Sequence, residues 1–400
     1  MIEWSDEEVM IRDMVRDWIG KEVRPHLDAL DSGELLPYGI IRSLYTTFGM
    51  ADMARGSFES RIAREKSGAE PEEKKDRGDS GAAFNLLPIV ELCKVSPGLV
   101  TAMGVSLGLA AGTIMKRGTI EQKERWALDL LTMDKIGAWA ITEPESGSDA
   151  FGGMKSSARA DGDGWILNGN KTFITNGPNA DTIVFYAKLD DGREIRDREI
   201  LCFVLDTGME GLEQSKPLRK MGCHSSPTGE LFLSDVRVGR DRLLSAGGTG
   251  KESAKANFTT ERAGVAAMAL GVIEECLKLS VAYAKTRIAW GKPIADYQLI
   301  QLKLAKMEVA RVNVQNMVFR HVEMQKLGRQ MTLAEASAMK LYSAQAASEV
   351  AMEAVQLFGG NGYMSEYRVE QLARDAKAFQ IYAGTDELQI THIARDLLSR

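Results

Sequence analysis

"SSARADGDGWILNGNKTFITNG", residues 156–177, marks the point where the pattern of the chain changes from helical to extended. Its short alternating runs are separated by Gly- and Asn-containing turns at 162–164 and 168–170, which favour β-hairpins. The runs "TIVFYAKLDDGREI", "ILCFVLD" and "GELFLSDVRV" continue the same pattern to about Val238. We therefore expect a middle domain, residues 137–248, that folds as an antiparallel sheet or small β-barrel.

Helical patterns precede the strand-rich region. Apolar residues from Val9 to Ile19 recur at helical spacing behind Ser5, a predicted N-cap, and helical signals return over residues 83–131. Between these segments, 14 of the 26 residues from 55 to 80 are charged, a composition that buries little apolar surface. We expect an N-terminal helical domain, residues 1–136, that carries an exposed loop or lid at 55–80.

Helical patterns also follow the strand-rich region. Long amphipathic runs extend from about 257 to 285, 295 to 327 and 333 to 357, and a capping box from Thr332 to Glu335 opens the last of them. Long helices of this kind bury their apolar faces most simply in a four-helix bundle. The third expected domain is therefore a C-terminal bundle over 249–400, and the fold class is α+β.

Composition and charge narrow the function. The net charge of −6 argues against a nucleic-acid binder, because such proteins need a basic face. Four cysteines, at positions 93, 202, 223 and 276, are too widely spaced for a Cys-x-x-Cys metal or redox pair, so we expect reduced thiols, no metal site and a cytoplasmic location. The sequence shows no apolar signal core, and we expect no membrane span.

A polar, glycine-containing loop lies at the entry to the middle domain. In "AWAITEPESGSDAFG", residues 138–152, the hydroxyls and backbone N–H groups of Thr142, Gly147 and Ser148 suit a phosphate or a ring heteroatom. The same composition is more often that of a simple turn. The loop contains no Gly-x-Gly-x-x-Gly motif, so a Rossmann-type dinucleotide site is not expected.

Four segments together resemble the acyl-CoA dehydrogenase family. They are "AWAITEPESGSDA", "NGNKTFITNG", "TRIAWGKPIADYQ" and "QLFGGNGYMSEYRVEQLARDAKAFQIYAGT", in the family's order and at its usual separations. The resemblance covers the chain from about Glu121 to the end. It implies FAD between the middle domain and the bundle, an acyl-CoA substrate, electron transfer to an electron-transfer flavoprotein, and a homo-oligomer arranged as a dimer of dimers.

The resemblance also implies which residues contact the flavin. Phe173 and Thr175 are expected to flank the isoalloxazine ring, and Arg287 to contact the pyrophosphate across the dimer. Trp290 stands where most members have Phe. The full expected cofactor set is Trp139, Ile141, Thr142, Gly147, Ser148, Phe173, Thr175, Arg287, Trp290, Gln298, Gln356, Gly359, Gly360, Thr385 and Glu387.

The catalytic base is missing from its commonest position in the family. Most members read Tyr-Glu-Gly-Thr where this chain reads Tyr382-Ala383-Gly384-Thr385, and that Glu removes the α-proton of the substrate. The isovaleryl-CoA and long-chain types instead carry the base on the first long helix of the bundle, immediately before an arginine. Glu261 before Arg262 matches that second arrangement, whereas Asp386 is not expected to be catalytic.

Helical periodicity independently places Glu261 on an apolar face. Glu261, Val265, Met268, Val272 and Cys276 form one stripe of the predicted helix. The alternative is an acidic residue in the first turn of a helix that faces water. With Ala383 opposite, we expect Glu261 to be the base, and we expect Arg262, Tyr382 and Ala383 to bind the substrate.

The expected reaction is the α,β-dehydrogenation of an acyl-CoA thioester to a trans-2-enoyl-CoA. Two alternatives remain open from the sequence. One is a flavin oxidase or two-component monooxygenase on the same fold, and the other is a non-catalytic relative that binds flavin or acyl-CoA. The acyl group is not readable from the sequence.

Overall fold

A computed structural model describes residues 3–68, 81–245 and 250–399 of the chain, without the side chains of 81–85 and 250–257. Helices, then a sheet, then further helices follow one another in the predicted order. The N-terminal helices are α1 Asp6–Trp18, α2 Leu27–Ser32, α3 Tyr38–Thr47, α4 Met50–Lys66, α5 Gly81–Cys93, α6 Pro97–Gly104, α7 Gly112–Arg117, α8 Ile120–Gln122 and α9 Leu128–Leu131.

The first helix begins where the sequence predicts. The Ser5 hydroxyl accepts a hydrogen bond from the Glu8 N–H, and the Glu8 carboxylate accepts one from the Ser5 N–H, so the two form a capping box. The expected loop at 55–80 is wrong over residues 55–66, which belong to α4. Burial of Phe58 and Ile62 and the ion pair from Lys123 to Glu65 hold this polar helix against the body. Residues 69–80 of the expected loop lie outside the described residues.

One run of helix is apolar enough in length and composition to cross a membrane, contrary to the expectation from the sequence. It spans Pro97–Arg117 and includes a π-helical stretch, Val105–Ala111, between α6 and α7. In the fold, 61% of its most apolar window is buried inside the protein. It packs beside β1, Gly137–Ala140, where the Ser106 hydroxyl accepts a hydrogen bond from the Gly137 N–H. This run is therefore a core helix.

The middle domain is a seven-stranded sheet of mixed direction. Besides β1 it contains β2 Ser157–Asp161, β3 Gly164–Thr175, β4 Thr182–Leu189, β5 Ile200–Asp206, β6 Leu212–Gln214 and β7 Thr228–Gly239. The strand order is β1-β4-β2-β3-β7-β6, and β5 pairs with β4. Both β1 and β2 run parallel to β4, so the prediction of a purely antiparallel sheet is wrong. Turn motifs in a sequence indicate only the pairing of strands that follow one another along the chain. Parallel strands are joined by longer connections, which such motifs do not reveal.

Of the two predicted hairpin turns, one is confirmed. Asp161 pairs with Gly164 across the β2–β3 turn. The second, at 168–170, is wrong, because these residues form a bulge inside the continuous strand β3. Gly169 has φ +148°, and a Cβ there would lie 2.2 Å from the Ser156 Oγ. The glycine of the Asn-Gly-Asn sequence is therefore explained by the bulge and by the close approach of Ser156 to the backbone.

The C-terminal domain is helical, and its first helix begins at Gly250, earlier than the start near residue 257 that the sequence predicts. Its helices are α10 Gly250–Thr286, α11 Gln298–Lys326, α12 Leu333–Phe358, α13 Val369–Phe379 and α14 Asp386–Leu398, with a small hairpin of β8 Ile288–Ala289 and β9 Lys292–Pro293 after α10. The predicted capping box from Thr332 to Glu335 is present at the start of α12. The three long helices pack on one another, and α13 and α14 pack on α12, which confirms the predicted bundle.

The largest hydrophobic core joins the two helical parts of the chain. Helices α1, α3, α5 and α6 share it with α10, α12 and α13. Two smaller cores lie inside the sheet and between the sheet and the N-terminal helices. As a result, the part of α10 around Met268 lies close to α6 and to the segment before α14.

Candidate active site

The apolar stripe predicted on α10 is buried. Val265, Met268, Val272 and Cys276 are all buried in the core shared by the two helical parts. Glu261, one turn before Val265, is partly exposed at the outer end of this stripe. The alternative of a fully solvated first-turn carboxylate is therefore wrong, since α10 begins eleven residues earlier and Glu261 lies in its interior.

The environment of Glu261 suits a general base. Burial raises the pKa of its carboxyl to about 7, while the positive charges of Arg262 and Lys340 act in the opposite direction. A carboxyl with a pKa near the working pH accepts a proton efficiently and is still ionised often enough to act. The sequence did not identify Lys340, which lies on α12 and whose side chain is completely buried.

A tight turn precedes α14, and Lys340, whose charge acts on Glu261, also contacts this turn. Ala383 has φ +54° and Gly384 has φ +85°, so two successive residues are left-handed. The Gly384 carbonyl accepts hydrogen bonds from the Lys340 Nζ at 2.8 Å and the Gln389 Nε2 at 2.7 Å. The Ala383 carbonyl also accepts from Gln389, at 3.1 Å. Within the described chain, no backbone hydrogen bond uses the Ala383 N–H.

Asp386, the nearest carboxylate along the sequence, has a structural role. It is buried, its Oδ1 lies 3.4 Å from the Lys340 Nζ, and its Oδ2 accepts from the side-chain amides of Gln345 and Gln380, each at 3.2 Å. Glu387 is exposed and Thr385 is partly buried.

Tyr382 lies on the inner side of the turn. Its hydroxyl donates to the Met268 Sδ at 3.7 Å, a second contact joins it to the Thr101 hydroxyl of α6, and burial raises its pKa well above the ordinary value. The negative charge of Glu261 also contributes to that pKa shift, so the two side chains are electrostatic neighbours.

Arg262 is buried between three helices. Its Nη1 donates to the Ser337 hydroxyl of α12 at 2.9 Å, and its Nη2 lies 3.3 Å from the His392 Nδ1 of α14. Burial lowers its pKa, and Glu261 opposes that shift. The Nε has no hydrogen-bond partner within the described part of the chain. Arg262 therefore joins α10, α12 and α14 behind the turn, a role that sequence reasoning did not identify.

A second group of expected site residues lies at the edge of the sheet. Gly147 and Ser148 are exposed at the tip of the polar loop, and Thr142 is joined to β3 because its carbonyl accepts from the Thr172 N–H at 3.0 Å. Phe173 has φ +58° in a second bulge of β3, which leaves its side chain 68% exposed beside Thr175. An aromatic ring held out of a sheet in this way offers a stacking surface for a planar ligand.

Two members of the expected cofactor set have side chains directed into the interior. The Trp139 ring packs edge-to-face on Tyr186 and donates to its hydroxyl at 3.3 Å. The Ile141 side chain is buried between the sheet and the N-terminal helices. Ile141 therefore leaves mainly its backbone groups for a ligand, whereas the Trp139 ring is still partly exposed, and contact of either residue with flavin stays a prediction.

The remaining expected cofactor residues form a third group at the far end of the bundle. Arg287 and Trp290 are exposed on the β8–β9 hairpin, where the Trp290 side chain is 91% exposed. Gln298, Gln356, Gly359 and Gly360 are exposed nearby at the start of α11 and the end of α12. Tyr283 connects these parts, since its ring stacks on Phe358 with centroids 4.1 Å apart. Among the described residues, no hydrogen bond or ion pair joins this group to the sheet-edge group.

Comparison with known proteins gives matches to both the middle β domain and the C-terminal helical domain. The family model "Acyl-CoA dehydrogenase, C-terminal domain" matches residues 248–398, and "Acyl-CoA dehydrogenase, middle domain" matches 138–236. An acyl-CoA dehydrogenase of Bacillus subtilis (strain 168) is 34% identical over 396 residues, 98% of each chain.

Relatives from Megasphaera elsdenii match in sequence and in structure. Its short-chain specific acyl-CoA dehydrogenase is 37% identical over 315 residues, which are 78% of this chain and 82% of that protein. The solved structure of butyryl-CoA dehydrogenase from the same organism has a TM-score of 0.85, 32% identity and complete coverage of both chains.

Proposed function

The chain belongs to the acyl-CoA dehydrogenase family, and from that premise we propose that it uses Glu261 as the base in FAD-dependent α,β-dehydrogenation of an acyl-CoA. Two features together carry the proposal. The Glu261 carboxyl is partly desolvated and has a pKa of about 7, and the turn before α14 has Ala383 where most family members have the catalytic glutamate. The site keeps a base although the commonest position has lost it.

The features at the sheet edge fit FAD. The exposed Phe173 ring matches a planar isoalloxazine, and the exposed Gly147 and Ser148 can meet its phosphates. When bound, FAD supplies the acceptor for the hydride that leaves the β-carbon. The third group, around Arg287 and Trp290, suits the FAD of a second copy of the chain, because an arginine can engage two phosphate oxygens at once.

The residues of this chain supply the acid–base part of the reaction. The Ala383 N–H donates to the thioester oxygen and stabilises the enolate charge that develops there. The Glu261 carboxylate takes the α-proton as the β-hydride leaves, and the product is a trans-2-enoyl-CoA. Lys340 and Gln389 hold the turn through the Gly384 carbonyl, so the Ala383 donor is positioned before the substrate arrives.

The packing of α10 on α5 supports a short acyl group. From Glu261 the apolar stripe leads to Met268, about 10 Å along the helix, where the Tyr382 hydroxyl meets the Met268 sulfur. One turn further, a Cβ on Gly271 would lie 2.2 Å from the Val90 carbonyl oxygen, so α5 touches α10 directly and no space remains between them. The name of the Megasphaera elsdenii relative, a short-chain specific enzyme, agrees with this limit.

We further propose an electron-transfer flavoprotein as the electron acceptor, a dimer of dimers as the assembly, and a cytoplasmic location. All four cysteines are free and buried, as the expectation of reduced thiols requires. A two-component monooxygenase on this fold has no evident use for Glu261, whereas an oxidase would need the same base and would differ in its reoxidation by O₂. Rapid reoxidation of the reduced protein by air would favour that class, whereas slow reoxidation in air with fast reoxidation by the flavoprotein supports the dehydrogenase.

Anaerobic bleaching of the bound flavin by a panel of acyl-CoAs tests the proposal. We expect butyryl-CoA or a neighbouring short chain to bleach the flavin, and long chains to fail. In Met268→Ala the optimum should move to longer chains, because the substitution removes the side chain that meets Tyr382 along the apolar stripe. A protein that binds FAD and bleaches with no acyl-CoA would instead be the non-catalytic relative.

A further inference from the structure

A buried ion pair connects the two segments of the sheet edge that the proposed function assigns to the flavin. Lys171 of β3 is completely buried, and its Nζ donates to the Glu143 Oε1 at 2.8 Å and to the Ile141 carbonyl at 3.2 Å. Glu143 belongs to the polar loop, which in the structure extends over residues 141–156 between β1 and β2, and it is buried as well. Neither side chain belongs to the expected cofactor set, and the proposed mechanism uses neither.

Glu143 closes the polar loop on itself. Its carboxylate accepts from the Lys155 N–H at 2.5 Å and from the Ser156 N–H at 2.9 Å, so it joins the first residues of the loop to the last. Its backbone also exchanges two hydrogen bonds with Ser146, at 3.1 and 3.0 Å. A single buried carboxylate therefore fixes the course of the loop that carries Gly147 and Ser148.

Lys171 fixes the other segment. It precedes the bulge that holds Phe173 out of the sheet, and its side chain points inward. Although burial raises the pKa of Glu143, Lys171 and the N–H donors hold it below the ordinary value, so the carboxylate is ionised at neutral pH. Burial lowers the pKa of Lys171 to about 8, while Glu143 opposes this shift. The contact is thus an ion pair at pH 7.

Such a pair is costly to bury, which argues that it does more than stabilise the sheet. Two apolar side chains of similar volume often give a protein as stable or more stable than a buried ion pair does. A pair that spans two ligand-contacting segments has a further effect, since it sets their separation. Lys188 of β4 acts on the outer side of the same loop, where its Nζ donates to the Gly152 carbonyl at 2.9 Å.

We propose that Lys171 and Glu143 are positioning residues for the flavin, which hold the phosphate-facing loop and the Phe173 bulge at the separation that the cofactor needs. This inference rests on the proposed function, because it takes the sheet edge as the flavin site. Precise placement of such segments matters because a shift of about 1 Å in a contacting group can cost roughly a hundredfold in function.

The test measures two properties of the full-length protein after its flavin has been removed. One is its affinity for FAD, measured by quenching of FAD fluorescence, and the other is its melting temperature. Lys171→Met and Glu143→Gln should each weaken FAD binding by roughly tenfold to a hundredfold, the range seen when residues behind metal ligands are replaced. The visible circular dichroism of the bound flavin should also change. Both variants retaining wild-type affinity and spectrum would overturn the inference.

Matched variants separate positioning from stability. Glu91→Gln removes a buried carboxylate that accepts from Arg16 and Lys94 on the other side of the molecule, so it should lower apoprotein stability and leave FAD affinity unchanged. The double variant Lys171→Met/Glu143→Leu replaces the pair by apolar groups and should fold even if a single variant does not. It should still bind FAD weakly, and wild-type affinity in it would contradict the inference.

Two controls distinguish this inference from the proposed function. Wild-type apoprotein that fails to bind FAD would contradict the proposed function itself. Phe173→Ala should weaken FAD binding directly, and an unchanged affinity in that variant would mean that the sheet edge is not the flavin site. With both controls as expected, the Lys171 and Glu143 variants decide the inference alone.

Discussion

Replacing Glu261 by Gln separates proton abstraction from flavin binding, because the amide is nearly isosteric with the carboxyl. We expect Glu261→Gln to keep FAD and the fold but to lose about 10²- to 10⁴-fold in the rate of anaerobic flavin reduction. Glu275→Gln is the matched control, since it changes another buried carboxyl of α10 that pairs with Lys278. Near-wild-type reduction by Glu261→Gln would contradict the assignment of the base.

Restoring a carboxylate on the turn tests whether the two base positions address the same carbon. Ala383→Glu in the Glu261→Gln background should recover part of the lost rate, because the side chain starts from the opposite wall of the site. Recovery should be incomplete, since Ala383 has a left-handed backbone and a pocket shaped around a methyl group. Stopped-flow reduction of the double variant measures it, and no recovery at all would place the two positions apart.

The raised pKa of Glu261 also predicts a pH profile. Only the carboxylate can take a proton, so the reduction rate of the free enzyme should rise as pH increases through about 7. The sign for stability is opposite. The unfolded carboxyl ionises near 4.5 and the folded one near 7, so this group makes unfolding easier as pH rises between those values. A reduction rate that is flat from pH 5.5 to 8.5 would contradict the assignment.

At the scale of elements, the contact of α5 with α10 affects stability and underlies the proposed limit to short acyl groups. A Cβ on Gly271 would lie 2.2 Å from the Val90 carbonyl oxygen and 2.9 Å from the Cys93 Cβ, whereas a Cβ on Gly264, two turns earlier, meets nothing within 4 Å. Gly271→Ala should therefore destabilise the protein by about 1–3 kcal/mol, the usual cost of overpacking. Gly264→Ala should stabilise it by up to about 1 kcal/mol through helix propensity.

Urea unfolding of the two apoprotein variants measures this difference in stability. The two variants are matched, because both change a glycine of the same helix to alanine. Equal effects at both positions would mean that α5 can move away from α10. The proposed limit to short acyl chains would then lose its structural basis.

At the scale of the whole molecule, apolar surface points to assembly. Trp290 is 91% exposed, and α11 exposes Leu299, Leu302 and Val309. Contiguous exposed apolar residues of this kind mark interaction surfaces. We expect the purified protein to be yellow and to elute in size-exclusion chromatography with light scattering as a dimer-based oligomer, and Leu302→Asp to lower its mass. A colourless monomer that cannot be reconstituted with FAD would contradict this expectation.

Local signals in the sequence determined much of the protein. Helical periodicity located α10 to α12, the N-cap at Ser5 and the capping box at Thr332 gave two helix starts, and the stripe from Glu261 to Cys276 identified a buried face. These features depend on residues a few positions apart, whose spacing fixes their relation in a helix. The resemblance of four segments to a known family supplied the cofactor and the expected site residues.

Only the tertiary structure decided the contacts between distant segments. The parallel pairing of β1 and β2 with β4, the bulge at Gly169 and the helical state of 55–66 depend on neighbours far along the chain. The same holds for Lys340 beside Glu261 and for Lys171 with Glu143, since a lysine in a helix or strand shows no sign in the sequence of being buried against a carboxylate. Burial and charge pairing are set by packing, and packing brings together residues that no local pattern connects.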